Sequence, residues 1–352
     1  MVPTLLIDED KCRKNIRTMV SKAKENHVRL RPHFKTHQDY RIGEWFREEG
    51  VNVCTVSSLD MALYFASHGW KDITVAFPVN ILEIGKINKL SSIVNLNILI
   101  EAPEVALFLK KHLRNPTGIY IKLDVGTHRT GINPANLGLI DQVVDILSSS
   151  GYEEWKGFLA HAGHSYQVQG DEAIEKVYHQ AVHKMLELKI RYQELYPELN
   201  LSFGDTPTCS RVQDLSELDE IRPGNFVYYD LMQCAIGSCA IEQVAVCVEC
   251  PVVAIHVERE EVVVYGGAVH LSKERMHWDP YGEIYGLVAR SAENKWTTPL
   301  EGCYVARLSQ EHGIVRIHHP ILSRLRVGDT LKILPVHSCL TAHQLLNHIT
   351  IV

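Results

Sequence analysis

Pro32-His33-Phe34-Lys35-Thr36-His37 follows a short alternating run, Val28-Arg29-Leu30-Arg31, and precedes a helical run from Tyr40 to Glu49. The first run reads as a strand and the second as a helix, so Lys35 stands where a strand hands over to a helix. An amine placed there, flanked by histidines, is a candidate covalent catalyst able to form a Schiff base with an aldehyde cofactor. Taken alone, the stretch favours an ordinary surface lysine in a βα loop. The rest of the chain decides.

Working outward, short apolar runs alternate with amphipathic ones as far as about Tyr229. The strand-like runs are Val28-Leu30, Val51-Val56, Ile73-Phe77, Val94-Ile100, Gly118-Asp124, Trp155-His161, Leu201-Gly204 and Glu217-Ile221. Ser58 is placed to cap the helix that opens at Leu59, and Pro103 sits at the start of another, where its missing N–H costs nothing. Glu172 to Tyr196 is the longest helical run. Eight βα repeats over ~200 residues is the arithmetic of a (β/α)8 TIM barrel. An open doubly wound sheet is the competing reading, but no Gly-x-Gly-x-x-Gly follows the first strand.

Beyond Tyr229 the period changes. Val244-Val248, Pro251-Val257, Glu261-Tyr265, Tyr304-Leu308, Gly313-Ile317 and Thr330-Pro335 are strand-like, and helical periodicity is nearly absent. This predicts a C-terminal all-β domain. His348-Val352 reads as its last strand, and Thr4-Asp8 joins the same sheet. The expected division is a barrel over 10–232 and a discontinuous β-domain over 1–9 and 233–352.

Bulk properties narrow the function. The formal net charge is −6 with no basic run, which gives nucleic-acid binding little support. No apolar stretch approaches ~18 residues, so no membrane span is expected. The N-terminus lacks the basic start and apolar core of a signal peptide. Nine cysteines, an odd number scattered over 352 residues, argue against a disulfide framework and for a reducing, cytoplasmic compartment.

In a (β/α)8 barrel, reactive residues collect at the C-terminal ends of the strands. Here those ends carry Lys35, Asp124-Val125-Gly126-Thr127-His128-Arg129-Thr130-Gly131, His161-Ala162-Gly163-His164-Ser165-Tyr166, Gly204-Asp205-Thr206 and Arg222-Pro223-Gly224-Asn225. The last two read as tight turns, placed after the final strands, where this fold often grips a phosphate. Further on, Thr330 to Leu334 alternates as a strand. Carried through Pro335-Val336-His337-Ser338-Cys339, that strand sets His337 and Cys339 on one side. Imidazole and thiolate together suit zinc, and two protein ligands leave positions open for water or substrate. A buried cysteine beside a strand histidine fits the same spacing. Cys247-Val248-Glu249-Cys250 reads as packing, His318-His319-Pro320 as a turn, and Glu311-His312 carries no assignable role.

The ordered set Pro32–His37, Asp124–Gly131, His161–Tyr166, Thr206-Pro207-Thr208, Arg222–Asn225 and Pro335–Cys339 resembles the D-threonine aldolase and eukaryotic-type D-serine dehydratase family. That family consists of pyridoxal-phosphate enzymes with the alanine-racemase-like fold. The resemblance covers essentially the whole chain. It implies a barrel followed by a β-domain, assembled as a homodimer, acting on a small D-amino acid. It implies Lys35 as the Schiff-base lysine and proton acceptor, with Arg129, His161, Tyr166, Gly204, Thr206, Gly224 and Asn225 around pyridoxal 5′-phosphate. It implies His337 and Cys339 as ligands of Zn2+, or alternatively Mn2+ or another divalent cation. Cysteine at the second ligand position resembles the dehydratase branch, so the expectation is a D-serine dehydratase. D-threonine aldolase and D-threo-3-hydroxyaspartate dehydratase are the alternatives. An amino-acid racemase, which needs no metal, is less favoured, as is a pyridoxal-phosphate carrier barrel, which lacks a β-domain.

Overall fold

The computed structural model describes residues 1–148 and 151–352. The chain divides into two compact units. One comprises Arg17–Lys35 and Asp39–Gly224; the other comprises Met1–Ile16, Thr36–Gln38 and Asn225–Val352.

The first unit holds eight parallel strands, in chain order Arg29–Leu30, Cys54–Val56, Asp72–Pro78, Asn95–Ile100, Thr117–Leu123, Glu153–Ala160, Asn200–Phe203 and Glu220–Ile221. Each pairs with its sequence neighbour except the first two, and the first pairs with the last. The remaining seam closes through a parallel bridge between His33 and Thr55, with Phe34 N–H donating to Thr55 O at 2.8 Å. The barrel therefore closes on the segment that carries Lys35. The expected alternation of strand and helix is met, as is the closed barrel.

Local chemistry explains the helices around it. Ser58 caps Leu59–Ser67 by accepting the Met61 N–H at 3.2 Å, and Pro103 opens Pro103–His112. Asp171–Tyr192 turns Ile174, Val177, Ala181, Met185 and Leu188 inward, a helical-period apolar face. The strand Thr117–Leu123 is buried along its whole length, as expected of a parallel strand covered on both faces. Phe34 is fully buried against Phe46, Phe65 and Trp70, at ring-centroid distances of 5.3, 4.9 and 4.8 Å. Burying a phenylalanine contributes roughly 1.5–3 kcal/mol, so the residue before Lys35 is an anchor that fixes the backbone from which the lysine projects.

The second unit is built on an eight-stranded sheet. Glu261–Tyr265, His312–Arg316, Lys295–Leu308, Gly286–Ala292, Thr330–Pro335 and Val246–His256 pair in that order, and the last pairs back to the first, giving a closed ring. Thr4–Ile7 adds antiparallel to Val246–His256, and Ile349–Ile351 adds parallel to Thr4–Ile7. The N-terminal strand thus joins the C-terminal sheet, as expected.

The sequence pattern misses Gly286–Ala292 and most of Lys295–Leu308. Their registers slip between Leu287 and Ala289, between Ala289 and Ser291, and between Val305 and Arg307. Each bulge breaks the period of two on which a strand is recognised. Short helices at Leu231–Ile236, Ala268–Leu271 and Ser338–Gln344 were also unexpected; they are too short to show a period. His319–Leu322 is a helical turn begun by Pro320 at its N-terminus. Cys247 and Cys250 are both fully buried, as packing residues should be.

Candidate active site

In the barrel unit, Lys35 is exposed, and its backbone N–H donates to His33 Nδ1 at 3.3 Å. The His33 N–H donates in turn to Pro223 O at 2.9 Å, so the segment leading to Gly224 runs beside the one leading to Lys35. His161 closes the sixth barrel strand. Its Nδ1 donates to Gly204 O at 2.5 Å, which fixes the proton on that nitrogen because a carbonyl only accepts. Burial, and after it the charge of Lys35, pushes the His161 pKa down to about 3; Arg129 and Lys122 push the same way. His161 is therefore neutral at physiological pH, and it registers the charges of Lys35 and Arg129 on one ring.

Two glycines shape this rim. A side chain at Gly204 would meet the Arg222 backbone at 2.8 Å, so only glycine lets these strand ends approach. Gly131, at φ +112°, lies against the end of Thr117–Leu123, where an added carbon would sit 2.4 Å from the Leu123 carbonyl carbon. The Asp124–Gly131 loop is held from within. Asp124 Oδ1 accepts the Gly126 and His128 N–H groups at 3.1 and 2.9 Å, and this leaves Arg129 exposed at the loop's tip.

Gly204-Asp205-Thr206 is not the tight turn expected from sequence. Asp205 caps a short helix, Thr206–Arg211, accepting the Thr208 N–H at 2.9 Å and the Ser165 hydroxyl at 2.7 Å. Tyr166 stands over its start, its oxygen accepting the Thr206 N–H at 3.3 Å. The Thr206 hydroxyl is buried and has no hydrogen-bond partner among the described residues. An orphaned buried hydroxyl costs about 1–3 kcal/mol unless something meets it, and a phosphate oxygen is a fitting acceptor.

In the other unit, the strand expected to carry His337 and Cys339 stops at Pro335. His337 is instead the N-cap of Ser338–Gln344, and Cys339 lies in that helix's first turn. The reason is Asp230. Its fully buried carboxylate accepts the Ser338 N–H at 2.9 Å and the Ser338 hydroxyl at 3.1 Å, which turns the chain into the helix. It also accepts Asn225 Nδ2 at 2.7 Å and the Gln233 N–H at 2.9 Å, and lies 3.6 Å from His337 Nδ1.

His337 and Cys339 are nonetheless brought together. Burial opposes charge on the imidazole, but the hydrogen bond and charge of Cys339, then Asp230 and Glu274, outweigh it and hold the His337 pKa at about 9. A cation held by this pair would displace that proton, since imidazole and thiolate ligands coordinate deprotonated. The Cys339 sulfur also lies 3.3 Å from Thr36 Oγ1 and 3.5 Å from Asn225 Nδ2. Asn225 was expected against the cofactor. Its amide nitrogen is engaged with Asp230, Ser338 and Cys339, and only its buried Oδ1 lacks a hydrogen-bond partner. Among the described residues no group of three or more His, Cys, Asp or Glu side chains gathers in metal-binding geometry. An ion held by this pair would therefore take its other ligands from water or substrate.

Asp230 and Thr36 were not singled out from sequence. The one signal was Asp230-Leu231-Met232-Gln233, an aspartate three residues before a glutamine, which is a helix-start pattern.

Residues 7–231 match the alanine racemase N-terminal domain, and residues 245–352 match a putative serine dehydratase domain. The chain belongs to the alanine racemase N-terminal domain family. It is 29% identical over 365 residues to a D-serine dehydratase of Dictyostelium discoideum, covering 97% of this chain and 90% of that protein. Solved structures of D-threo-3-hydroxyaspartate dehydratase, from Delftia sp. HT23 and as a cysteine-to-alanine variant in a metal-free form, each match with a TM-score of 0.89 and 26% identity, covering 98% of this chain and 92% of theirs. A D-threonine aldolase from Filomicrobium marinum shares the fold, with a TM-score of 0.81 and 18% identity over 98% of this chain and 89% of its own. The resemblance read from the ordered motifs stands.

Proposed function

We propose that this chain is a pyridoxal 5′-phosphate- and divalent-metal-dependent lyase of D-3-hydroxy amino acids, converting D-serine to pyruvate and ammonia. The observation that carries this reading is the Cys339 sulfur. It contacts Thr36 and Asn225, which are peptide-bonded to Lys35 and Gly224, and its charge acts on the His337 imidazole. The proposed metal donors thus share their unit with the residues that directly follow Lys35 and Gly224 in sequence.

The residues fit both groups. The unpartnered Thr206 hydroxyl, with Gly204, Gly224 and Asn225, is assigned to the phosphate. Arg129, His161 and Tyr166 are assigned to the ring, and Lys35 to the aldehyde carbon. His337 and Cys339 offer one nitrogen and one sulfur, a set that favours Zn2+ over harder ions such as Mn2+. When bound, the cofactor supplies an electron sink for Cα and the ion a Lewis acid for the β-hydroxyl.

Lys35 Nζ takes the Cα proton. His161, kept neutral, adds no third charge beside Lys35 and Arg129. Asp230 orients the turn from which His337 and Cys339 project. The similarity to D-serine and D-threo-3-hydroxyaspartate dehydratases supports elimination over carbon–carbon cleavage, with D-threo-3-hydroxyaspartate as the second substrate to try. The family resemblance supports a homodimer, which sedimentation in solution tests.

The function is tested by incubation with D-serine, D-threonine and D-threo-3-hydroxyaspartate, with and without a chelator. A 2-oxo acid and ammonia, suppressed by chelation, is the expected result. Glycine plus an aldehyde establishes the aldolase instead, and full activity after complete metal removal rejects the role given to His337 and Cys339.

A further inference from the structure

Six of the nine cysteines are buried; Cys234, Cys239 and Cys339 are partly exposed, and all nine are free thiols. Cys339 belongs to the site already described. The other two face each other, with Cys234 Sγ 3.5 Å from Cys239 Sγ.

The backbone produces this pairing. The helix Leu231–Ile236 ends on Gly237 in the left-handed conformation, at φ 92°. Gly237 N–H donates to Cys234 O at 3.1 Å, and Ser238 N–H donates to Gln233 O at 2.9 Å. These are the two bonds of a Schellman C-cap. The cap folds the chain back over the last helical turn and returns Cys239 to Cys234. The pair is therefore set by main-chain hydrogen bonds that do not depend on the sulfurs.

We propose that Cys234 and Cys239 form a reversible dithiol–disulfide modification site, oxidised by small-molecule disulfides such as oxidised glutathione. A disulfide has an S–S distance of about 2 Å, so closure needs a sulfur movement of about 1.5 Å, within reach of side-chain rotation. The hydrogen bond to Cys234, and after it burial, hold the Cys239 thiol well above its usual range. Cys239 keeps its proton, and Cys234 is the attacking group. Its thiolate attacks one sulfur of oxidised glutathione, forming a mixed disulfide and releasing one glutathione thiolate. With the Cys234 sulfur tied up in the mixed disulfide its hydrogen bond to Cys239 is lost; Cys239 gives its proton to the released glutathione thiolate and, as a thiolate, attacks the Cys234 sulfur and releases the second. The two cysteine sulfurs are oxidised, one glutathione disulfide is reduced to two glutathiones, and the two cysteine protons pass to the released thiolates.

The full chain, as purified, is equilibrated in glutathione buffers of rising oxidised fraction, quenched with acid, denatured and alkylated. Two fewer alkylated thiols than the nine of the reduced chain are expected, with loss of two hydrogens from the intact mass and a cross-linked peptide joining Cys234 to Cys239. Dithiothreitol restores both thiols. Cys234→Ser abolishes the response, and Cys239→Ser stops it at one glutathione attached to Cys234. Alkylation of all nine thiols in the most oxidising buffer overturns the proposal. So does a cross-link that maps to any other pair, Cys339 included.

Discussion

Thr36 Oγ1 and Cys339 Sγ lie 3.3 Å apart although 303 residues separate them in sequence. The contact joins the residue after Lys35 to one of the two proposed metal ligands. A hydroxyl that donates to a thiolate stabilises its charged form, which is the form a metal ion takes up. If Cys339 is ionised, Thr36 is therefore the donor of this contact.

Cys339→Ala separates the two proposed groups. The variant is expected to lose bound metal and at least a hundredfold in turnover, while keeping the visible absorbance of bound pyridoxal phosphate. Elemental analysis and absorbance of the same sample check this. Retention of metal at the wild-type level would remove Cys339 from the ligand set.

The Thr206 hydroxyl predicts an unusual pairing of effects. Thr206→Val is nearly isosteric and removes a buried hydroxyl that has no protein partner. The apoprotein should therefore unfold at an unchanged or slightly higher urea concentration. Affinity for pyridoxal phosphate should fall roughly tenfold, the worth of one hydrogen bond to a charged acceptor. Fluorescence titration of the apoprotein measures the second effect. Equal affinity in both proteins would mean that the hydroxyl meets something other than the phosphate.

Asp230 accepts the Gln233 N–H, Asn225 Nδ2, the Ser338 N–H and the Ser338 hydroxyl. Asp230→Ala strands these donors in a buried position. A loss of about 3 kcal/mol is expected, read from urea unfolding, together with weakened metal retention. A variant of unchanged stability would show that water replaces the carboxylate.

The barrel was legible because it is periodic. Buried parallel strands such as Thr117–Leu123 stand out as apolar runs, and amphipathic helices separate them. The ends of those strands pointed to the loops that hold Lys35, Arg129, His161 and Thr206, and the family resemblance proposed the individual residues. The metal pair was legible only as residue types. Thr330–Leu334 alternates so regularly that the strand seemed to continue, and the residue that stops it, Asp230, lies 108 positions from Ser338. No local pattern carries such a contact. The bulged stretch Gly286–Leu308 failed for the opposite reason: its strands are local, but each register slip resets the alternation by which they are read.

Lys122 lies buried in the barrel wall, donating from Nζ to Leu123 O at 2.8 Å. Burial lowers its pKa from 10.5 to about 7, and Arg222 and Arg129 add to the effect against Asp124 and Glu101. Between these two values the unfolded chain binds the proton and the folded chain does not, so this group makes stability rise with pH across that window. The cost of burying the ammonium is full below pH ~7 and vanishes above the unfolded value. Lys122→Met keeps the volume and removes the charge. It should stabilise the fold by roughly 2–3 kcal/mol at pH 6, with the advantage over wild type shrinking by up to ~1.4 kcal/mol per pH unit above 7. Urea midpoints of both proteins at pH 6, 7.5 and 9 give the difference directly, cancelling other groups that titrate in the same range. A difference that stays flat across those three values would show that Lys122 does not change charge there.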